Sequence, residues 1–203
     1  TGNLASIPIL RMLNVKYLIS PQKINHPDLQ FLNTLSLKQS RSFTDVNIYL
    51  LKNYLPRAWF VNKVIQNDDK DIWKNILDIS FDPSTIAYVE DKIDTKISNN
   101  AKIENINFLN DEIFIKANSS GSSFLVLSEV FYPLRWKVEI NGNESKILKV
   151  NNIIRGVVLN DGENDINFYY DKSSFNTGLV ISITAFIISL IFTFYGILII
   201  RRK

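Results

Sequence analysis

The 203-residue chain has no cysteine, one histidine and one methionine, and its seven glycines and six prolines fall below ordinary usage. The lack of cysteine excludes disulfides and thiolate metal sites, and a single histidine cannot build a His-based metal cluster. His26 precedes Pro27 in a polar stretch and reads as a turn residue rather than a general base. No glycine-rich phosphate loop and no nucleophile elbow is present. Acidic pairs do occur, at Asp68 and Asp69, Glu90 and Asp91, and Asp111 and Glu112. Each lies among polar residues at the end of an apolar pattern, where solvated turns and helix caps explain it better than paired acid and base chemistry. Net charge is formally +3, which the three basic residues at the C-terminal end account for. The remainder is neutral, so no basic field exists for nucleic acid and that class of partner is rejected. Residues 1–20 lack the basic and apolar regions of a signal peptide. With Thr1 at its head and Met12 as its only methionine, the chain is expected to be the tail of a longer protein.

The most informative absence is of charge. Residues 179–200 (LVISITAFIISLIFTFYGILII) carry none. As a helix they measure about 33 Å, enough to cross a hydrocarbon core of about 30 Å. Arg201, Arg202 and Lys203 follow at once, and the positive-inside tendency then puts the C-terminus in the cytoplasm and everything before Ser173 outside. Around an ideal helix Gly178, Ser182, Ala185, Ser189 and Gly196 fall near one line, with Thr193 beside them. Val180, Ile187, Ile191, Phe194 and Leu198 collect opposite. The small face is expected to pack on other membrane helices, and the bulky face to meet lipid.

Ahead of this span, 13–20 (LNVKYLIS), 46–51 and 57–65 read as strands, and Pro21 and Pro56 mark turns. Asp68 and Asp69 precede Ile72, Trp73, Ile76 and Leu77, whose spacing predicts a short helix with one apolar face, acids at its N-terminus, packed on a sheet. Another strand is expected at 85–90, and from Lys102 onward the pattern is wholly β. Residues 135–140 (RWKVEI) alternate, placing Trp136, Val138 and Ile140 on one face, and Asn141-Gly142 follows as a tight hairpin turn. Asp161-Gly162 repeats that signal before Ile166, Phe168 and Tyr170 alternate with Asn167, Tyr169 and Asp171. The fold class expected is mainly β (α+β): a mixed α/β segment over 1–95, an antiparallel β-sandwich over 96–172, one transmembrane helix over 173–200 and a basic tail at 201–203.

Trp59, Phe60, Tyr132 and Tyr169 are candidates to stack on sugars, weighed against ordinary core packing for each. Glu129 interrupts the apolar run FLVLSEVFY and Arg155 the run IIRGVVL, where a lone charge is costly to bury. Three readings stay open: the two pair across neighbouring strands, both face a polar groove, or each is exposed at a strand edge.

LNVKYLIS, LPRAWFV (55–61), FDP (81–83), VLSEVFYPLRWKVEINGNE (126–144) and NNIIRGVVLNDGENDINFYYDKSSFNTG (151–178), in that order before a terminal helix, resemble the C-terminal half of YfhO-family bacterial membrane proteins. The resemblance implies a multi-pass glycosyltransferase with a GT-C type core in the bacterial cell membrane, which moves a sugar from a polyprenyl-phosphate carrier to an envelope glycopolymer such as a teichoic acid. It further implies a catalytic carboxylate in an extracytoplasmic loop upstream of these residues, so no catalytic, cofactor or metal residue is assigned in this chain. Its expected partners are upstream membrane helices of the same protein, the lipid bilayer, the carrier-linked sugar and the acceptor glycan. Where the family has Tyr-Pro-Gly-Trp, this chain reads Tyr132, Pro133, Leu134, Arg135, Trp136. The competing reading is a membrane-anchored glycan-binding or structural module without catalysis.

Overall fold

The structure, a computed structural model, describes residues 7–39, 42–78, 80–98 and 100–201. It is mostly β, with three sheets and one long apolar helix at the C-terminal end. Helix α1 (Ile7–Met12) comes first, then β1 (Tyr17–Ser20), β2 (Leu29–Gln39) and β3 (Ser42–Leu51), which form a three-stranded antiparallel sheet in the order β1-β3-β2. The strand expected over 13–20 starts only at Tyr17, because Asn14 takes a left-handed φ of 56° and turns the chain out of α1. Ile7 packs on Leu29, Tyr49 and Leu51 of this sheet, while Met12 is buried in the next cluster. One short helix thus spans two cores.

Strands β4 (Ala58–Val61), β5 (Lys63–Gln66), β6 (Ile86–Val89), β9 (Ser123–Val130), β12 (Leu148–Val150) and β13 (Ile154–Leu159) make a six-stranded sheet in the order β4-β9-β13-β12-β6-β5. Only Asn62 separates β4 from β5, yet the two occupy opposite edges. The sheet therefore curls back on itself until one bent segment supplies both edges. The bend is pinned where the amides of Asn62 and Lys63 both donate to the carbonyl of Thr85. The division expected near residue 95 falls inside this sheet, because β4, β5 and β6 precede it and β9, β12 and β13 follow it.

Helix α2 (Asp69–Ile76) links β5 to the parallel strand β6. Asp68 caps it by accepting the amide of Asp71. Ile72 and Ile76 are fully buried on the six-stranded sheet, each contributing about 2 kcal/mol of burial. Trp73 and Leu77, expected on the same face, are exposed instead: an eight-residue helix buries one narrow stripe at a spacing of four, and their positions lie beside it.

The third sheet has five antiparallel strands in the order β11-β10-β14-β8-β7, from β7 (Ala101–Phe108), β8 (Glu112–Ser119), β10 (Trp136–Ile140), β11 (Asn143–Ser145) and β14 (Gly162–Tyr170). Asn141 (φ 52°) and Gly142 (φ 75°) close the β10–β11 hairpin where their sequence placed it. Asp161-Gly162 closes no hairpin. It carries the chain from β13 in one sheet to β14 in the other, and the Asp161 carboxylate accepts the amide of Gly121 to hold that arch. Leu125, Leu127, Val157 and Leu159 of the six-stranded sheet share a buried cluster with Ile113, Ile115, Val138, Ile166 and Phe168 of the five-stranded one. The opposite face of the first sheet, with Phe124, Val126 and Ile154, is buried in a second cluster with α2. Burial on both faces is why β9 and β13 read as continuous apolar runs, whereas β8 and β14 alternate.

Helix α3 (Ser173–Arg201) is 29 residues long. Within its apolar stretch Ser173–Ile199 an 18-residue run reaches a mean hydropathy of 2.2, with none of that run buried among the described residues. By length and composition it suits a membrane crossing. Arg202 and Lys203 of the expected tail lie outside the described residues. Asp171 caps the helix: its carboxylate accepts the amide of Ser173, and this bond is the main reason its pKa lies below the ordinary 3.8. A carboxyl with a depressed folded pKa lends stability that is complete above its unfolded value and is lost as pH falls through the folded one. Protection factors for amide hydrogen exchange over 173–176 should therefore be unchanged between pH 7 and 5 and fall severalfold below 3.8. Asp171→Asn, which keeps an acceptor but cannot titrate, should flatten that step; an equal step in both proteins would assign it elsewhere.

Candidate functional site

Two places gather functional side chains. The first is the outer face of the five-stranded sheet, where alternation turns polar side chains to solvent. Register brings Asn107 of β7 beside Phe114 of β8, Phe114 beside Asn167 of β14, and Asn167 beside Glu139 of β10. One row across four strands, about 14 Å at ordinary strand spacing, thus reads amide, aromatic, amide, carboxylate. The next row holds Asn105, Lys116 and Asp165, and Lys116 Nζ lies 3.3 Å from Asp165 Oδ1. These residues line a cleft of about 350 Å³.

Within the cleft, Phe114 is 40% exposed and Asn167 Oδ1 is buried without a hydrogen-bond partner among the described residues. A buried acceptor left unpaired costs about 1–3 kcal/mol. A ligand hydroxyl or a water would satisfy it. Tyr169 stands at the margin and donates its hydroxyl to Glu139 Oε1 at 3.3 Å; partial desolvation, with the charge of Glu139, pushes its pKa up. An exposed ring flanked by amides and a carboxylate can take the apolar face of a neutral polyhydroxylated ligand and hydrogen-bond its edge.

The second place closes the end of the inter-sheet core next to α3. Arg155 is 2% exposed, and its guanidinium lies 4.2 Å from the ring centroid of Trp136 and 5.4 Å from that of Phe168. Its Nη2 is 3.9 Å from Glu129 Oε2, while Arg57 Nη2 donates to Oε1 of the same carboxylate. Arg57 also stacks on Phe108, 3.7 Å from its centroid, and so links edge strand β4 to edge strand β7. Burial is the main cause that pushes the Arg155 pKa down to about 10; Glu129 opposes the shift and Arg57 adds to it. The guanidinium therefore stays charged at neutral pH. Its Nε and Nη1 lack hydrogen-bond partners among the described residues, and the guanidinium lies against aromatic faces instead. The structure thus brings Glu129 and Arg155 together across β9 and β13, where a register shift between Ile154 and Arg155 offsets the pairing.

The other residues singled out in the sequence do not converge. Trp59 is buried and donates Nε1 to the carbonyl of Pro83 at 2.9 Å, which makes it core rather than a sugar platform. Phe60 is half-buried against the inter-sheet cluster. Tyr132 is exposed in the loop 131–135, away from the cleft. Only Tyr169 borders the cleft. Gly178, Ser182, Ala185, Ser189 and Gly196 all lie in α3, whose apolar span is not buried by any other described part of the chain. Thr177, Thr184 and Thr193 donate to carbonyls one turn back, so those hydroxyls are satisfied within the helix. Arg57, Asn105, Asn107 and Phe114 escaped sequence reasoning. Alternation in β8 could have exposed Phe114, but which strands flank it is not a local property.

Residues 85–182, from the start of β6 into α3, match a family model described as bacterial membrane protein YfhO. No curated protein and no solved structure matches the chain.

Proposed function

Taking residues 85–182 as a segment of the YfhO family of bacterial membrane proteins, we propose that this chain is the extracytoplasmic β-sandwich and last membrane helix of a multi-pass glycosyltransferase, and that its part is to hold the acceptor glycan. In this reading the curled six-stranded and the five-stranded sheets are the two layers, and α3 enters the membrane with its C-terminus in the cytoplasm. The small face formed by Gly178, Ser182, Ala185, Ser189 and Gly196 lies against other membrane helices of the protein. The sugar comes from a polyprenyl-phosphate carrier, and the acid and base chemistry belongs to a loop elsewhere in the protein. The observation that carries the proposal is the cleft, where an exposed Phe114 sits between Asn107 and Asn167 and the Asn167 carbonyl oxygen waits for a donor.

The test is calorimetric titration of the detergent-solubilised chain with fragments of purified envelope glycopolymer. Phe114→Ala and Asn167→Ala should each weaken binding about tenfold, the loss of roughly one ring contact or one hydrogen bond to a satisfied acceptor. Tyr132→Ala should leave binding unchanged. Absence of binding by the unaltered chain, or equal binding by all three variants, would remove the glycan role and leave a membrane-anchored structural module.

A further inference from the structure

Six of the large apolar residues that the chain leaves exposed gather in one place. Val130 (68% exposed), Tyr132 and Leu134 (76%) lie on and beside the loop 131–135, Leu109 lies at the turn between β7 and β8, Tyr170 ends β14, and Phe175 is in the first turn of α3. All six surround the root of α3. The amide of Tyr170 donates to the carbonyl of Asp111, the amide of Asp171 to that of Arg135, and the amide of Trp136 to that of Tyr132. Lys172 pairs with Asp111, and Lys137 Nζ lies 3.8 Å from Asp171. Trp136 meets Tyr170 edge to face at 6.1 Å. The loop, the turn and the helix root are therefore one rigid piece.

We infer that this piece is an interfacial foot, seated in the headgroup layer of the same bilayer that α3 crosses, with Leu134, Tyr132 and Leu109 as its anchors. The argument is one of height. Between the helix root at Ser173 and the wholly apolar run from Leu179 stand six helical residues, about 9 Å of rise. The headgroup layer on one side of a bilayer is about 5–8 Å deep. A domain tied to Ser173 by backbone hydrogen bonds cannot stand off from that layer. Its composition fits as well. Tyr, Trp and Leu suit a zone with apolar depth and a wet rim, and of the charges around them Lys172 is paired with Asp111 and Lys137 with Asp171. Together the foot and α3 set the height and tilt of the domain, which a single helix on a flexible linker would leave free.

The inference rests on α3 spanning the bilayer and not on glycan binding. The absence of native cysteine makes single labels unambiguous. Leu134→Cys, Leu109→Cys, Ile187→Cys in the middle of α3, and Asn160→Cys at the opposite end of the domain would each carry a fluorophore, with the full chain reconstituted in phosphatidylcholine–phosphatidylglycerol vesicles. Labels at 134 and 109 should be quenched about threefold more by lipids bearing a nitroxide near the headgroup, and about threefold less by aqueous iodide, than the label at 160. The label at 187 should respond to a nitroxide deep in the acyl chains. Iodide access at 134 equal to that at 160 would put the foot in water and overturn the inference. Protection at 134 from both quenchers would overturn it in favour of a covering protein surface. Failure of the 187 label to sense deep nitroxide would overturn it together with the membrane reading of α3, and is thereby told apart from the first two results.

Discussion

Glu129→Ala should destabilise the chain by about 3 kcal/mol, although its carboxylate is 25% exposed, because the variant strands a guanidinium that cannot leave. Arg155 is held between the sheets against Trp136 and Phe168, and among the described residues Glu129 is the anion beside it; Arg57, the other charge nearby, has the same sign. Removing one partner of a buried pair typically costs about 3–5 kcal/mol, and the partial exposure of Glu129 sets the expectation at the low end. Replacing the cation by an apolar side chain of similar reach is a different matter. Arg155→Met should cost about 1 kcal/mol or less, since the long side chain still fills the space beside Trp136 and Glu129 keeps Arg57. In the double variant Glu129→Ala/Arg155→Met part of the loss should return, a coupling of about 2 kcal/mol in a double-mutant cycle measured by denaturant unfolding in detergent. Losses that simply add would mean that Arg155 is sustained by the aromatic rings alone and that Glu129 serves only Arg57.

Gly156→Ala should be at least as damaging, for a steric reason. A Cβ at this position would stand 2.8 Å from the backbone oxygen of Leu125, 2.8 Å from Cε1 of Phe124 and 2.9 Å from Cγ2 of Val150. Gly156 faces Val126 of β9 on one side and Leu148 of β12 on the other, so the strand is paired at both edges and cannot slide away. Overpacking of this kind costs about 1–3 kcal/mol, and the backbone contact places this case at the top of the range. In a chain of this size about 3 kcal/mol lowers the melting temperature by roughly 6–12 °C. Gly142→Ala is the control, with nothing within 4 Å of the new Cβ and only the φ of +75° to strain, at a cost of about 1 kcal/mol. Val150→Ala should not rescue Gly156→Ala, since it removes one of three clashes and leaves the Leu125 carbonyl in place. Rescue would show that the sheet adjusts more readily than its double pairing implies.

How much of this was legible in the chain depended on distance along it. Residues 179–200 announce a membrane-length helix without help, since lack of charge and length are local properties and the helix satisfies its own backbone. Asn141-Gly142 specifies its hairpin because left-handed φ values are needed within two residues. Period-two alternation at 135–140 and 166–171 separates Val138, Ile140, Ile166 and Phe168, which are buried, from Lys137, Glu139, Asn167 and Tyr169 on the other face, whereas β2 and Phe114 of β8 went unread. The identical turn signal at Asp161-Gly162 was read as a hairpin and is an arch between sheets, for a turn says only that the chain reverses, not which strand it meets. Strand order is the work of pairings across long separations. Arg57 and Glu129, 72 positions apart, meet only because β4 docks beside β9. Asn107, Phe114, Asn167 and Glu139 become one row only because β7, β8, β14 and β10 lie side by side. The curl that lets one bent segment close the six-stranded sheet has no local signature at all. Sequence alone determined the long helix, the β10–β11 hairpin and the alternation of β10 and β14, because these follow from the preferences of neighbouring residues. Tertiary structure alone decided the cleft, the Arg57–Glu129–Arg155 cluster and the apolar root of α3, because each arises where distant strand ends are brought together by the burial of their shared cores.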